Sequence, residues 1–192
     1  MSYKLSEGAE ANRLWIQYSR GLLTFIPAYI IYLLISGVVP LTFSYGGIYF
    51  YYFFHNAVYF PLIGVLAYML FKRFSADPDR GSVSEGFVFL AGFFTFASVL
   101  EIVRHFPNYD AYSLFLYPTM RLATISALAI VVARYFDEVG WQRWVYLAVG
   151  LVFVAATAVV PFLFVVHLGI AALIVAIVLF AASVFPYAVM SL

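Results

Sequence analysis

The stretch from Leu100 to Arg121, LEIVRHFPNYDAYSLFLYPTMR, carries charged side chains into two long apolar segments. Glu101, Arg104 and His105 lie at the end of the first segment, and Arg121 lies well inside the second. An arginine or aspartate at the centre of a membrane helix costs roughly 2.5 to 3.5 kcal/mol on insertion scales. These residues therefore predict a polar site inside a bundle of membrane-embedded helices.

The composition limits the class of protein to which this stretch can belong. Of the 192 residues, 66% are hydrophobic and only 10% are charged, too few charges to cover a soluble domain of this size. A net charge of +1 excludes an electrostatic nucleic-acid binder, which needs clustered Lys and Arg. The absence of cysteine excludes disulfides, thiolate metal ligands and iron–sulfur clusters.

The apolar segments predict an all-α integral membrane protein that forms one domain. Each segment is long enough to cross a hydrocarbon core roughly 30 Å thick at 1.5 Å per residue. Residues 1–20 predict a short amphipathic helix at the membrane surface, with Trp15 and Tyr18 at interfacial depth. The six predicted spans are 21–43, 48–71, 86–106, 112–136, 142–165 and 168–190.

Cations in the short connections predict the orientation of the spans. The N-terminal arm and the connections between spans 2 and 3 and between spans 4 and 5 hold Lys and Arg, whereas the alternate connections hold none. The positive-inside rule then places both termini in the cytoplasm. We therefore expect a multi-pass protein of the cell membrane, either plasma or inner. The cations that decide this are Lys4, Arg13, Arg20, Lys72, Arg73, Arg80, Arg134 and Arg143.

Polar side chains collect in the outer half of this topology. Glu101 and Arg121 lie on neighbouring antiparallel spans with a predicted axial offset of about 6 Å, so an interhelical ion pair is available. Such a pair lowers the cost of burying both groups. The predicted ligand-binding residues are Glu101, Arg121, His55, His105, Arg104, Tyr117 and Asn56.

The three histidines raise the alternative of a cofactor. Two inward histidines on facing helices can hold a haem, and histidine with glutamate can hold a metal. The predicted depths of His55, His105 and His167 disfavour this, because His55 lies deeper than the other two. No motif of a hydrolytic enzyme occurs, so enzyme activity is the less favoured interpretation, and intramembrane chemistry of another kind stays open.

Small residues and prolines mark further features of the spans. Ala172 and Ala176 form a small-xxx-small pair that permits close helix packing and leaves a homo-oligomer open. Pro61 and Pro118 flank the predicted polar region. Proline frees a carbonyl and kinks a membrane helix, so these two residues are expected to open a cavity there.

Two classes of function follow from this arrangement. In the first, the protein is a solute-binding or transport module that binds an unidentified small molecule in its polar site. Its six-span plan with both ends inside is similar, in architecture only, to the membrane substrate-binding components of vitamin-uptake transporters. In the second class, the protein is a non-catalytic accessory subunit of a larger membrane complex, respiratory or transport, and its apolar surface packs against partner subunits.

Overall fold

The computed structural model describes the backbone of residues 2–35, 37, 44–74, 82–105 and 111–191. Within these ranges it describes all side chains except those of residues 2–9, 56, 57, 101, 102, 104, 105, 111–113, 188, 190 and 191. The described ordered elements are all helical. They are α1 (Ser2–Ile35), α2 (Tyr45–Tyr52), a π-helix (Phe53–Tyr59), α3 (Phe60–Arg73), α4 (Val83–His105), α5 (Ala111–Asp137), α6 (Gln142–Thr157), α7 (Val159–Val165) and α8 (Gly169–Ser191).

Among the described residues, six helical stretches are long and apolar enough to cross a membrane, as the sequence predicts. The second consists of α2, the π-helix and α3 in succession, and the fifth consists of α6 and α7. The protein is therefore an all-helical, multi-pass chain by length and composition. The six stretches are Glu10–Ile35, Tyr45–Arg73, Val83–Leu100, Leu114–Asp137, Gln142–Val165 and Gly169–Tyr187.

The predicted interfacial helix and the first span belong to one continuous helix, α1, with no break at residue 20. The apolar stretch found within it covers Glu10–Ile35 of the described side chains. Two contacts hold the early part of α1 against the bundle: Arg13 pairs with Glu85, and the Arg20 guanidinium lies 6.0 Å from the centre of the Phe71 ring. An interfacial position for residues 1–20 is not confirmed.

Helices α1 and α4 run parallel and cross in direct backbone contact. A Cβ added to Gly21 would collide with the carbonyl oxygen of Phe89 and would lie 2.9 Å from the backbone nitrogen of Phe93. A Cβ added to Gly92 would collide with the carbonyl oxygen of Tyr18. Glycine is needed at both positions because a side chain on either helix would force the two backbones apart.

Helices α4 and α5 are antiparallel neighbours, as predicted for the third and fourth spans. A Cβ on Gly86 would lie 3.7 Å from the Cα of Ala129, and the Arg121 guanidinium lies over the ring of Phe94. These two contacts fix the register of the pair. Among the six stretches, α5 has the largest buried share.

One end of the bundle holds a set of charged side chains that distinguishes it from the other end. We call the end that holds Arg13, Lys72, Glu85, Arg134 and Arg143 the basic end, and the opposite end the far end. All three tryptophans of the chain are exposed near the basic end, in keeping with the preference of tryptophan for a membrane–water interface. The cytoplasmic location of the basic end stays a prediction.

Two prolines coincide with irregular turns inside spans. The π-helix directly precedes Pro61, and its i→i+5 pattern lets the preceding carbonyls pair past a residue that has no N–H. The fifth stretch is interrupted at Ala158, three residues before Pro161. Pro118, by contrast, lies inside an unbroken α5. The cavity expected near these prolines stays a prediction.

The small residues of the last span pack within the chain. Ala172 and Ala176 are fully buried in a cluster that also contains Met120, Ala123 and Val160. This pair therefore serves the contact of α8 with α5 and α7. A homo-oligomer stays a prediction that this pair does not support.

Candidate functional site

Arg121 lies on α5 inside the bundle, as the sequence predicts, and is only partly exposed. Its guanidinium carbon lies 5.1 Å from the centre of the Phe94 ring, and Phe94 is fully buried. This cation–π contact offsets part of the cost of removing the charge from water. A guanidinium is also the side chain best suited to bind a carboxylate or phosphate group in a fork.

The predicted partner of Arg121 lies higher in the bundle than the sequence indicates. The register of α4 and α5 puts Arg121 level with Phe94, seven residues from Glu101 along α4. At 1.5 Å per residue the axial offset is roughly 10 Å, where about 6 Å was predicted. The Glu101 side chain lies outside the described residues, so the ion pair stays a prediction that requires both side chains to be extended.

His55 lies inside the bundle at the first turns of the π-helix and is buried. Its ring centre is 4.3 Å from that of Tyr51, 5.2 Å from that of Phe54 and 5.4 Å from that of Tyr32 on α1. The hydroxyl of Tyr59 donates a hydrogen bond of 2.7 Å to the carbonyl of Ala28, which ties the π-helix to α1. An imidazole in an aromatic enclosure on a π-helix is a common feature of functional sites.

The described site residues lie at successive depths along the bundle axis, and we call this order in depth the column. Phe25 packs against Phe93 of α4, and Tyr32, which contacts His55, lies seven residues further along α1. His55 therefore lies roughly 10 Å nearer the far end than Arg121, because α1 and α4 are parallel. Tyr117 is one turn above Arg121 on the same face of α5 and is partly buried.

The other predicted ligand residues cannot be placed at the level of side chains. Asn56 follows His55 in the π-helix, and Arg104 and His105 end α4, but these three side chains lie outside the described residues. Their roles in binding stay predictions.

The described side chains do not support a haem or metal site made by the histidines. His167 is exposed in the turn between α7 and α8, whereas His55 is buried among aromatic rings. Among the described residues, no group of three His, Asp or Glu side chains could hold a metal ion. Haem or metal binding through His55, His105 and His167 stays a disfavoured prediction.

A second set of charged residues, at the basic end, was not identified from the sequence. Glu85 on α4 binds two cations with its two carboxylate oxygens: Arg13 Nε donates to Oε1 at 3.0 Å and Lys72 Nζ donates to Oε2 at 3.3 Å. The side chains of Lys72 and Glu85 are only 8% and 7% exposed, whereas that of Arg13 is 61% exposed. Lys72 and Glu85 thus form a buried ion pair, and the exposed Arg13 connects Glu85 to the surface. We call Arg13, Glu85 and Lys72 the ion network.

The positions of Lys72 and Glu85 in the sequence could have predicted their pairing. Lys72 and Glu85 lie on either side of one loop, near the adjoining ends of α3 and α4. Residues that flank a short connection between antiparallel helices lie at similar depth and can pair. From the sequence alone, Lys72 indicates only the orientation of the spans, and neither Lys72 nor Glu85 is predicted to be buried.

The chain matches no protein-family model, no curated protein and no solved structure. Inferences about its function therefore rest on the geometry of its own residues.

Proposed function

We propose that the protein is a multi-pass module of the cell membrane that binds or transports a small solute, with Arg121 binding an anionic group of that solute. The observation that carries the proposal is the guanidinium of Arg121 on the buried ring of Phe94, inside the most enclosed helix of the bundle. Charged groups inside membrane bundles are costly and mark solute and ion pathways by default.

The column above Arg121 supports entry of the solute from the far end. Tyr117 and the aromatic enclosure of His55 lie between Arg121 and that end, and the backbone of Glu101 is at the level of His55. Hydroxyl and imidazole groups donate and accept hydrogen bonds, while aromatic faces pack against apolar parts of a ligand. A small organic anion with an apolar body fits this lining.

Native mass spectrometry of the full-length chain from lipid nanodiscs tests the proposal. We expect a small-molecule adduct on the native chain that is lost in Arg121→Ala, because no other group replaces the guanidinium fork. Arg121→Lys should retain the adduct only weakly, since an ammonium is a point charge without that geometry. Arg134→Ala is the matched control: Arg134 lies on the same helix but at the basic end, where it is 4.0 Å from Glu138.

Two outcomes would contradict the proposal. An adduct that survives Arg121→Ala unchanged would show that the ligand binds elsewhere. Partner chains in place of small molecules would favour the accessory-subunit alternative, in which Arg121 is structural.

A further inference from the structure

Four buried polar atoms at the basic half of the bundle have no hydrogen-bond partner within the part of the chain that the structure describes. One is Nε of Arg143, whose guanidinium lies over the rings of Tyr135 and Trp144. The other three are Oε1 of Gln17 on α1, the hydroxyl of Tyr68 on α3 and Oγ of Ser126 on α5. These residues are 9%, 2% and 1% exposed. Buried polar groups in folded proteins are nearly always paired with protein groups or with ordered water. Three such atoms on three helices therefore indicate a place where water is bound.

Contacts through α4 bring these atoms to one level. A Cβ on Gly86 would lie 3.8 Å from the Tyr68 ring and 3.7 Å from Ala129, one turn from Ser126 on α5. The Tyr68 ring also packs against Phe89, with ring centres 5.3 Å apart. Tyr68 and Ser126 thus approach the same two turns of α4.

Gln17 reaches this level from α1, which packs against the same turns of α4. It lies one turn after Arg13, which pairs with Glu85, and one turn before Gly21, which contacts the backbone of Phe89. Residues at this spacing share a helix face, so Gln17 faces α4 between Glu85 and Phe89. We call Gln17, Tyr68 and Ser126 the polar layer.

The ion network lies beside the polar layer on the side of the basic end. Glu85 directly precedes Gly86, and Lys72 is one turn after Tyr68 on α3. The buried Lys72–Glu85 pair joins α3 to α4, and Arg13 joins both to α1 and to solvent. Along α3 and α4, the ion network therefore lies between the polar layer and the basic end.

We propose that the polar layer is an internal hydrated site for water and for small uncharged molecules that both donate and accept hydrogen bonds, and that the ion network closes it toward the basic end. The chemistry of the lining selects this class of ligand. Gln17 Oε1 accepts hydrogen bonds, while the Tyr68 and Ser126 hydroxyls both donate and accept. The site is separate from Arg121 and exists whether or not Arg121 binds an anion.

Because the chain contains no cysteine, a single introduced cysteine is the only thiol that a maleimide can modify. The accessibility of that thiol therefore tests the proposal. Ser126→Cys puts a thiol of similar size in the polar layer, and a polar, membrane-impermeant maleimide modifies it only when water and reagent reach it, since the thiolate is the reactive form. The full-length chain in nanodiscs exposes both ends to the reagent. We expect slow modification of Ser126→Cys when the ion network is intact. Addition of Glu85→Gln should increase the rate roughly tenfold or more, because the charged hydrogen bonds from Arg13 and Lys72 to Glu85 are lost.

Two controls separate opening from unfolding and from a general effect of charge. Glu138→Gln removes the partner of Arg134 at the same end, outside the ion network, and should leave the rate at Ser126→Cys unchanged. Val160→Cys, buried in the apolar cluster of α5, α7 and α8, should stay unmodified in every background unless the bundle unfolds.

Each result decides the proposal. Fast modification of Ser126→Cys with the ion network intact, or no increase after Glu85→Gln while Val160→Cys stays protected, would overturn it. If Glu85→Gln also makes Val160→Cys reactive, the bundle of that variant has unfolded. Arg13→Ala then replaces Glu85→Gln as the variant that breaks the ion network, because the Arg13 side chain is mostly exposed and its loss should not unfold the bundle. An increase at Ser126→Cys alone in Arg13→Ala supports the closure, and no increase refutes it.

Discussion

At the scale of single residues, His167 holds a backbone conformation that glycine usually adopts. Its φ is 64°, and it ends α7 in a Schellman motif: its own N–H donates to the carbonyl of Phe164 at 3.1 Å, and that of Leu168 donates to Leu163 at 2.9 Å. Histidine tolerates this left-handed conformation better than most residues but still at a cost. The residue is exposed, so this cost is not offset by packing of the ring.

His167→Gly should therefore stabilise the protein. We expect an increase of about 1 kcal/mol in the free energy of unfolding, or about 2 to 4 °C in the unfolding temperature for a chain of this size. His167→Ala keeps the strained backbone and should give no increase. The measurement is thermal unfolding of the two variants and the native chain in the same detergent. Loss of stability in His167→Gly would mean that the imidazole makes a stabilising interaction.

Arg121 could be identified from the sequence as a charge inside a span, whereas the burial of Glu85 could not be predicted. A charge in the middle of an apolar stretch has no alternative to burial, so its position alone predicts a polar site. A charge at the end of a stretch can equally well reach water. Whether Lys72 and Glu85 are buried depends on how α1 covers them, and that depends on the tertiary packing of the helices.

At the scale of elements, the crossing of α1 and α4 depends on two glycines. Gly21→Ala and Gly92→Ala each add a methyl group against a neighbouring backbone, which cannot move aside as a side chain can. We expect each variant to lower the free energy of unfolding by about 1 to 3 kcal/mol, the usual cost of overpacking. Thermal unfolding measures this loss.

Gly46→Ala is the matched control for these two variants. Gly46 lies in α2 with no atom within 4 Å of an added Cβ. Alanine is the better helix former by roughly 1 kcal/mol, so this variant should be neutral or stabilising. Equal losses in all three variants would show that the crossing does not require glycine.

The spans follow from the sequence far better than their internal irregularities. Length and hydropathy determine that a stretch crosses the membrane, and five of the six predicted spans begin or end close to the observed helices. In the first span, the absence of a break at residue 20 could not be predicted from hydropathy, since α1 runs continuously from Ser2 to Ile35. The π-helix before Pro61 depends on packing as well as on proline, since Pro118 leaves α5 unbroken.

At the scale of the whole molecule, an aromatic core separates polar residues at two depths. The rings of Phe25, Phe93 and Phe94 are buried in one continuous cluster, with ring centres 5.4 and 5.5 Å apart along this series. Arg121 lies against Phe94 at the level of this cluster, His55 lies toward the far end, and the polar layer lies toward the basic end. In the proposed function, the bundle is open to a solute from the far end and closed at the basic end by the ion network.

Thiol accessibility of Tyr117→Cys, in the full-length chain in nanodiscs, tests this asymmetry most directly. Tyr117 lies one turn above Arg121 in the proposed path, whereas Leu122, which directly follows Arg121 on α5, is exposed on the apolar surface and is the control. We predict that a polar maleimide modifies Tyr117→Cys but not Leu122→Cys. Protection of both thiols would contradict a solute path from the far end to Arg121.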